Sequence, residues 1–220
     1  MFNNGLIAND WLIGMKQEIL VIGMKNILSS SFQLPITNYS IPITNYSIPI
    51  TNLMSYKLLF VCLGNICRSP SAENIMNHLI EQAGLSDRIT CDSAGTASYH
   101  IGSPPDRRMA LAARKREIEL LGEARQFQRE DFENFDLILA MDRENYRNIL
   151  ALDNPGKYKK KVRLMCDFCH KYDLKEVPDP YYGGPEGFDR VIDLLLDACE
   201  GLLEYVVSQE GLRVGGQKES

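Results

Sequence analysis

From Lys57 to Val207, strand-length apolar runs alternate with segments of helical period, and this alternation leaves few folds open. Lys57–Val61 (KLLFV) has strand length and ends at Cys62. Residues 69–83 carry Ile75, Met76, Leu79, Ile80 and Ala83 at helical spacing, with Pro70 in the first turn and Gly84 at the end. A second strand is expected over Arg88–Ser93, then a helix over Pro105–Glu117 with a basic outer face. Phe135–Met141 (FDLILAM) is the strongest strand signal, followed by a helix over Asp142–Leu152 and a short strand over Val162–Met165. Phe188–Val207 is a long amphipathic helix. Strands separated by helices form a parallel sheet covered on both faces, so the fold class is α/β. Function in such sheets concentrates at the carboxyl ends of the strands, where Cys62 lies.

The first 53 residues have a different texture. Residues 35–52 read PITNYSI, PITNYSI, PITN, with a proline every seventh residue that blocks regular helix. Seven residues is too short for a solenoid repeat. Residues 1–53 are therefore expected to be a disordered or untranslated leader, with the domain running from Met54 to Ser220. The leader has no basic region ahead of an apolar stretch, and charges interrupt its apolar runs before they reach the ~18 residues of a membrane span.

With a formal charge of −5, the chain lacks the excess of Lys and Arg that nucleic acid demands. The basic run from Lys157 to Arg163 reads as a solvated loop. Six cysteines in 220 residues are too few for a disulfide scaffold, which points to a soluble protein in a reducing compartment, the cytoplasm. Cys166 and Cys169 form a single CxxC, a poor pattern for structural zinc, so neither metal nor cofactor is expected. Cys91 and Cys199 read as core residues.

Between the first strand and the first helix stand Cys62, Leu63, Gly64, Asn65, Ile66, Cys67, Arg68 and Ser69: cysteine, five residues, arginine, serine. A loop of this length at a helix N-terminus can close backbone N–H groups around a tetrahedral oxyanion. Gly64 permits a turn where a side chain would clash. The helix dipole and the Arg68 guanidinium both favour a thiolate at Cys62. Arg68 offers a planar fork matched to two phosphate oxygens. The loop lacks the Gly-Lys-Ser/Thr ending of a Walker A motif.

VCLGNICRSP, residues 61–70, resembles the signature of the low-molecular-weight protein-tyrosine phosphatases. The resemblance extends from Lys57 to about Tyr205 through DSAGT (92–96), IGSPPD (101–106), ARQ (124–126), FDLILAMD (135–142) and DPYYGG (179–184). It implies a three-layer fold with a four-stranded parallel sheet and the phosphate loop after the first strand. It also implies hydrolysis of protein phosphotyrosine and aryl phosphates through a cysteinyl phosphate, with phosphotyrosine-containing proteins as partners. Cys62 becomes the nucleophile, Arg68 the transition-state clamp and Asp179 the general acid, held between Pro178 and Pro180. Asn65 and Ser69 match residues that fix the loop and bond the thiolate, and Ser93 matches a hydroxyl behind it. Tyr99 and Tyr181 match the aromatic walls of the substrate slot, with Leu63 at the same rim. Cys67 matches a thiol that can pair with Cys62 and protect it, and Tyr182 matches a phosphorylation site. One departure stands out: Gly122 falls where many relatives carry a histidine in the network behind the loop, and His78, His100 and His170 do not replace it by position. Two alternatives remain: arsenate reduction on the same fold, which needs Cys166 and Cys169 as mobile thiols, and an inactive phosphotyrosine-binding module.

Overall fold

In the computed structural model the described residues are 55–153, 156–182 and 184–210. The PITNYSI repeats and the rest of the expected leader lie outside them. Strand β1 spans Tyr56–Cys62 and helix α1 Arg68–Ala83. β2 follows over Ile89–Gly95, then α2 over Arg107–Arg114 and a one-turn α3 over Asp131–Asn134. β3 covers Leu137–Ala140, α4 Arg143–Ala151, β4 Val162–Leu164 and α5 Gly184–Glu210. The sheet is four-stranded and parallel, in the order β2-β1-β3-β4, as expected.

β1 is buried on both faces because its side chains alternate between two cores. Leu58, Phe60 and Cys62 join Ile75 of α1, Met109 of α2 and Leu195 of α5; Leu59 and Val61 join Phe132 of α3 and Ile149 of α4. Strand-length apolar runs are the mark of such doubly covered strands. The order reverses between β1 and β3, since the chain leaves β1 for one edge and β3 for the other. That reversal opens a crevice at the carboxyl ends of these two strands. Cys62 closes β1 there, and Asp142 follows β3.

Several boundaries differ from the sequence expectation for identifiable reasons. β3 is shorter than Phe135–Met141 because Phe135 is the C-cap of α3 and the Asp136 carboxylate accepts from the Lys57 N–H at 2.8 Å. α2 begins only at Arg107, since Asp106 is its N-cap and accepts from Arg108 N–H at 2.8 Å. α5 is longer at both ends than Phe188–Val207. The basic run is not simply solvated: Lys161 donates to the carbonyls of Phe132 and Phe135 at 2.9 and 2.8 Å, and Val162 is buried in β4. Among the described residues no helix is long and apolar enough to cross a membrane.

Candidate active site

The loop from Cys62 to α1 is shaped by two close approaches and one strained residue. A Cβ on Gly95 would lie 2.9 Å from the Leu63 carbonyl oxygen, and one on Gly64 would lie 2.9 Å from the His100 ring. Gly95 meets backbone and so requires the absence of a side chain, whereas at Gly64 it is the His100 ring that would have to give way. Asn65 has φ +55°, a left-handed conformation that Asn tolerates better than most residues. This turns the Asn65 N–H onto Cys62 Sγ at 3.3 Å, while Ser69 Oγ lies 3.1 Å from the same sulfur. Cys67 is the N-cap of α1, and its side chain accepts no bond from the first turn. The loop thus runs directly into a helix N-terminus, the arrangement that favours an anion.

Arg68 is buried and both terminal nitrogens of its fork are engaged. Nη1 donates to Asp142 Oδ2 at 2.5 Å and to the Val177 carbonyl at 3.1 Å, and Nη2 donates to Asp179 Oδ2 at 3.1 Å. Against the cost of burial, the Cys62 sulfur first, and then Asp142 and Asp179, hold its guanidinium charged. Asp142 also caps α4, accepting from the Asn145 N–H at 2.7 Å, so one carboxylate fixes both a helix and the arginine. Asp179 accepts from the Tyr181 N–H at 3.0 Å in a turn over Pro180–Tyr182. A cleft of about 380 Å³ opens beside this group, lined by Arg68, Asp142, Arg147, Glu176, Pro178 and Asp179.

The structure brings together the residues singled out from the sequence. Leu63, Tyr99 and Tyr181 are exposed around the loop. The Tyr99 ring packs edge-on against His100, which lies over Gly64. Tyr181 is steadied by the Arg108 guanidinium, 5.0 Å from its centroid. The Ile66 carbonyl accepts from the Asp106 N–H at 2.7 Å, tying the loop to the start of α2. Asn65, Ser69 and Ser93 are buried and mutually bonded behind the loop. Cys67 and Cys62 are both free thiols, and burial, then the nearby Asp106, pushes the Cys67 thiol up to about 12. The backbone of Tyr182 lies in the turn, and its side chain is outside the described residues.

Gly122 is exposed with φ +101° and has no side chain to reach the network behind the loop. His78 bonds Gln82 at the surface, and His170 lies 3.9 Å from Glu204. Cys199 lies in the core, and half-buried Cys91 packs against that same core. Two contributors escaped the sequence reading. Asp142 could have been found from its place just after a strand end. Glu73, bonded to Ser93 Oγ at 2.6 Å, reads in sequence as an ordinary helix-surface carboxylate.

A doubly wound sheet whose first strand ends in a thiol, beside a helix N-terminus and a buried arginine, defines a protein of the cysteine-dependent phosphatase class. The family model for the low molecular weight phosphotyrosine protein phosphatases matches residues 57–212. The chain is 65% identical over 147 residues to slr0328 of Synechocystis sp., itself assigned to that group only provisionally, covering 67% of this chain and 94% of the other. It is 42% identical to the low molecular weight phosphotyrosine protein phosphatase of Schizosaccharomyces pombe, covering 68% and 96%. A crystal structure of a protein tyrosine phosphatase from Entamoeba histolytica, with Hepes in its active site, matches with a TM-score of 0.67 and 50% identity over 71% of this chain and 99% of the other. The chain belongs to the low molecular weight phosphotyrosine protein phosphatase family.

Proposed function

We propose that the chain hydrolyses phosphotyrosine in proteins, and aryl phosphates, through a cysteinyl-phosphate intermediate. The observation that carries this reading is the convergence on one loop of the Cys62 thiol, the buried Arg68 fork and the Asp179 carboxyl, the last two 3.1 Å apart. A phosphate seated in the loop takes the place of Asp179 on Nη2 and meets the backbone N–H groups of residues 63–68. The Cys62 thiolate attacks phosphorus as the bond to the aryl oxygen breaks, and Asp179 delivers its proton to that oxygen. Asp179, now a carboxylate, takes a proton from water as the water oxygen attacks phosphorus and the S–P bond breaks. Inorganic phosphate leaves and the thiolate returns.

Tyr99, Tyr181 and Leu63 form the walls that admit a flat phenyl ring, which favours phosphotyrosine over shorter phosphoamino acids. The partners are phosphotyrosine-containing proteins, met in the cytoplasm, where the free Cys62 thiol stays reduced. Arsenate reduction would need Cys166 and Cys169 to be mobile, but Cys166 is buried in the core and Cys169 packs against it.

Steady-state kinetics on a phosphotyrosine peptide and on p-nitrophenyl phosphate, in the presence of a chelator, test the reading. Cys62→Ser should abolish turnover of both. Asp179→Ala should cost on the order of 10² to 10⁴ in kcat with the peptide and far less with the nitrophenyl ester, whose leaving group needs no proton. Equal losses would remove Asp179 from the acid role, and substantial turnover by Cys62→Ser would overturn the mechanism.

A further inference from the structure

Behind the loop, the direction of each hydrogen bond follows from its partners. The Arg125 N–H donates to Asn65 Oδ1 at 2.8 Å, which orients the amide. Asn65 Nδ2 therefore donates to both Ser69 Oγ and Ser93 Oγ, at 2.9 and 2.8 Å. Each hydroxyl accepts from Asn65 and must send its own proton elsewhere. Ser93 donates to Glu73 Oε2 at 2.6 Å, the short distance of a bond to a carboxylate. The Ser69 proton is left facing Cys62 Sγ at 3.1 Å and the Ala94 carbonyl at 3.3 Å. One end of the chain is the reacting sulfur, and the other is a carboxylate on α1. Exposed Gly122 contributes nothing to it.

We propose that Glu73 is a positioning residue for the reaction at Cys62: its carboxylate draws the Ser93 proton, holds Asn65 as a double donor, and so keeps the Ser69 hydroxyl turned onto the sulfur. This rests on the phosphatase reading of Cys62. The groups that face Glu73 are Cys91 and Asp92 of β2 and Arg125 from the segment before α3. Burial above all, and then Asp92, raise the Glu73 carboxyl to about 6 against the pull of Ser93 and Arg125. The positioning charge is thus present above that pH and lost below it.

Two opposite effects can be separated by experiment. As a bare negative charge near a thiolate, Glu73 would slow the reactions of Cys62, whereas as the anchor of the hydrogen-bond chain it speeds them. The test is the rate of Cys62 alkylation by iodoacetate, with the site assigned by peptide mass spectrometry, in wild type and Glu73→Gln across pH. Glutamine keeps an acceptor for Ser93 but not the charge. The ratio of wild-type to variant rate should be near one below about pH 5 and rise to about threefold to tenfold above about pH 7. In a Ser93→Ala background the same ratio should stay flat, because the link to Asn65 is cut. A flat ratio with Ser93 intact overturns the proposal. So does a ratio that falls below one, or a rise that survives in Ser93→Ala. Should Glu73→Gln not fold, Ser93→Ala against wild type gives the same rising ratio or overturns the proposal by staying flat. Wild type failing to hydrolyse aryl phosphate would strike the phosphatase reading alone and leave the alkylation ratios standing.

Discussion

At Asn65 a backbone that L-residues avoid is held in place by its own side chain. The left-handed φ of +55° costs about 1 kcal/mol for a residue with a Cβ, and three side-chain bonds to Ser69, Ser93 and the Arg125 N–H offset it. Backbone and side chain can be tested apart. Asn65→Gly keeps the turn and removes the amide; Asn65→Ala removes both. We expect kcat/KM to fall by about tenfold to a hundredfold in Asn65→Gly and further in Asn65→Ala, with melting temperatures in the same order. If the glycine variant turned over like wild type, the amide would be serving the fold and not the sulfur. Arg68→Lys should be severe as well, because a single ammonium cannot meet Asp142, the Val177 carbonyl and a phosphate edge together.

At the scale of elements, the chemistry hangs on how α4 and α5 are fixed. Asp142→Ala removes the cap of α4 and the nearest partner of a buried guanidinium. A loss of about 1 kcal/mol for the cap and about 1–3 kcal/mol for the partner is expected in calorimetry, along with a large fall in kcat/KM. Asp142→Asn, which still caps, should recover melting temperature more than activity. α5 is seated through Gly201, where a Cβ would come within 2.1 Å of the Phe168 carbonyl oxygen. Gly201→Ala should therefore cost about 1–3 kcal/mol and lower the melting temperature by several degrees, while the folded fraction keeps its KM. These elements were legible in the sequence to different degrees. α1 and α5 follow from unbroken helical periods, and β1 from a run with no polar gap. The ends of β3 were not legible, because Phe135 and Asp136 have strand-like neighbours and their separation depends on the α3 turn and on Lys57. Glu73 was invisible for a related reason: only tertiary packing sets it against Ser93, and no spacing along the chain encodes that contact.

For the whole molecule, the family match begins at Lys57 and leaves the PITNYSI repeats outside it. A chain from Met54 to Ser220 should match the full chain in kcat, KM and melting temperature, and a truncation that lost activity would assign residues 1–53 a role. Global stability should also report on Glu73. Its folded-state value, raised to about 6, means the unfolded chain releases this proton first, so stability falls as pH rises between the ordinary 4.5 and about 6 and stays lower above. Glu73→Gln should remove a penalty of at most about 2 kcal/mol and melt higher than wild type at neutral pH, even as Cys62 reacts more slowly. A variant that melts lower at neutral pH and higher near pH 4 would contradict this. The close approaches at Gly64 and Gly95 bear on how the protein could be re-engineered. At Gly95 the floor of the site is a crossing of backbones with no room for added atoms, so variation there costs fold and phosphate binding together, whereas Gly64 faces the side chains of His100 and Tyr99. The rim, on the proposed reading, consists of the exposed side chains of Leu63, Tyr99 and Tyr181, which support little of the core. Combinatorial libraries at those three positions should yield many folded variants of altered ester preference, whereas a library at 95 should return almost nothing but wild type.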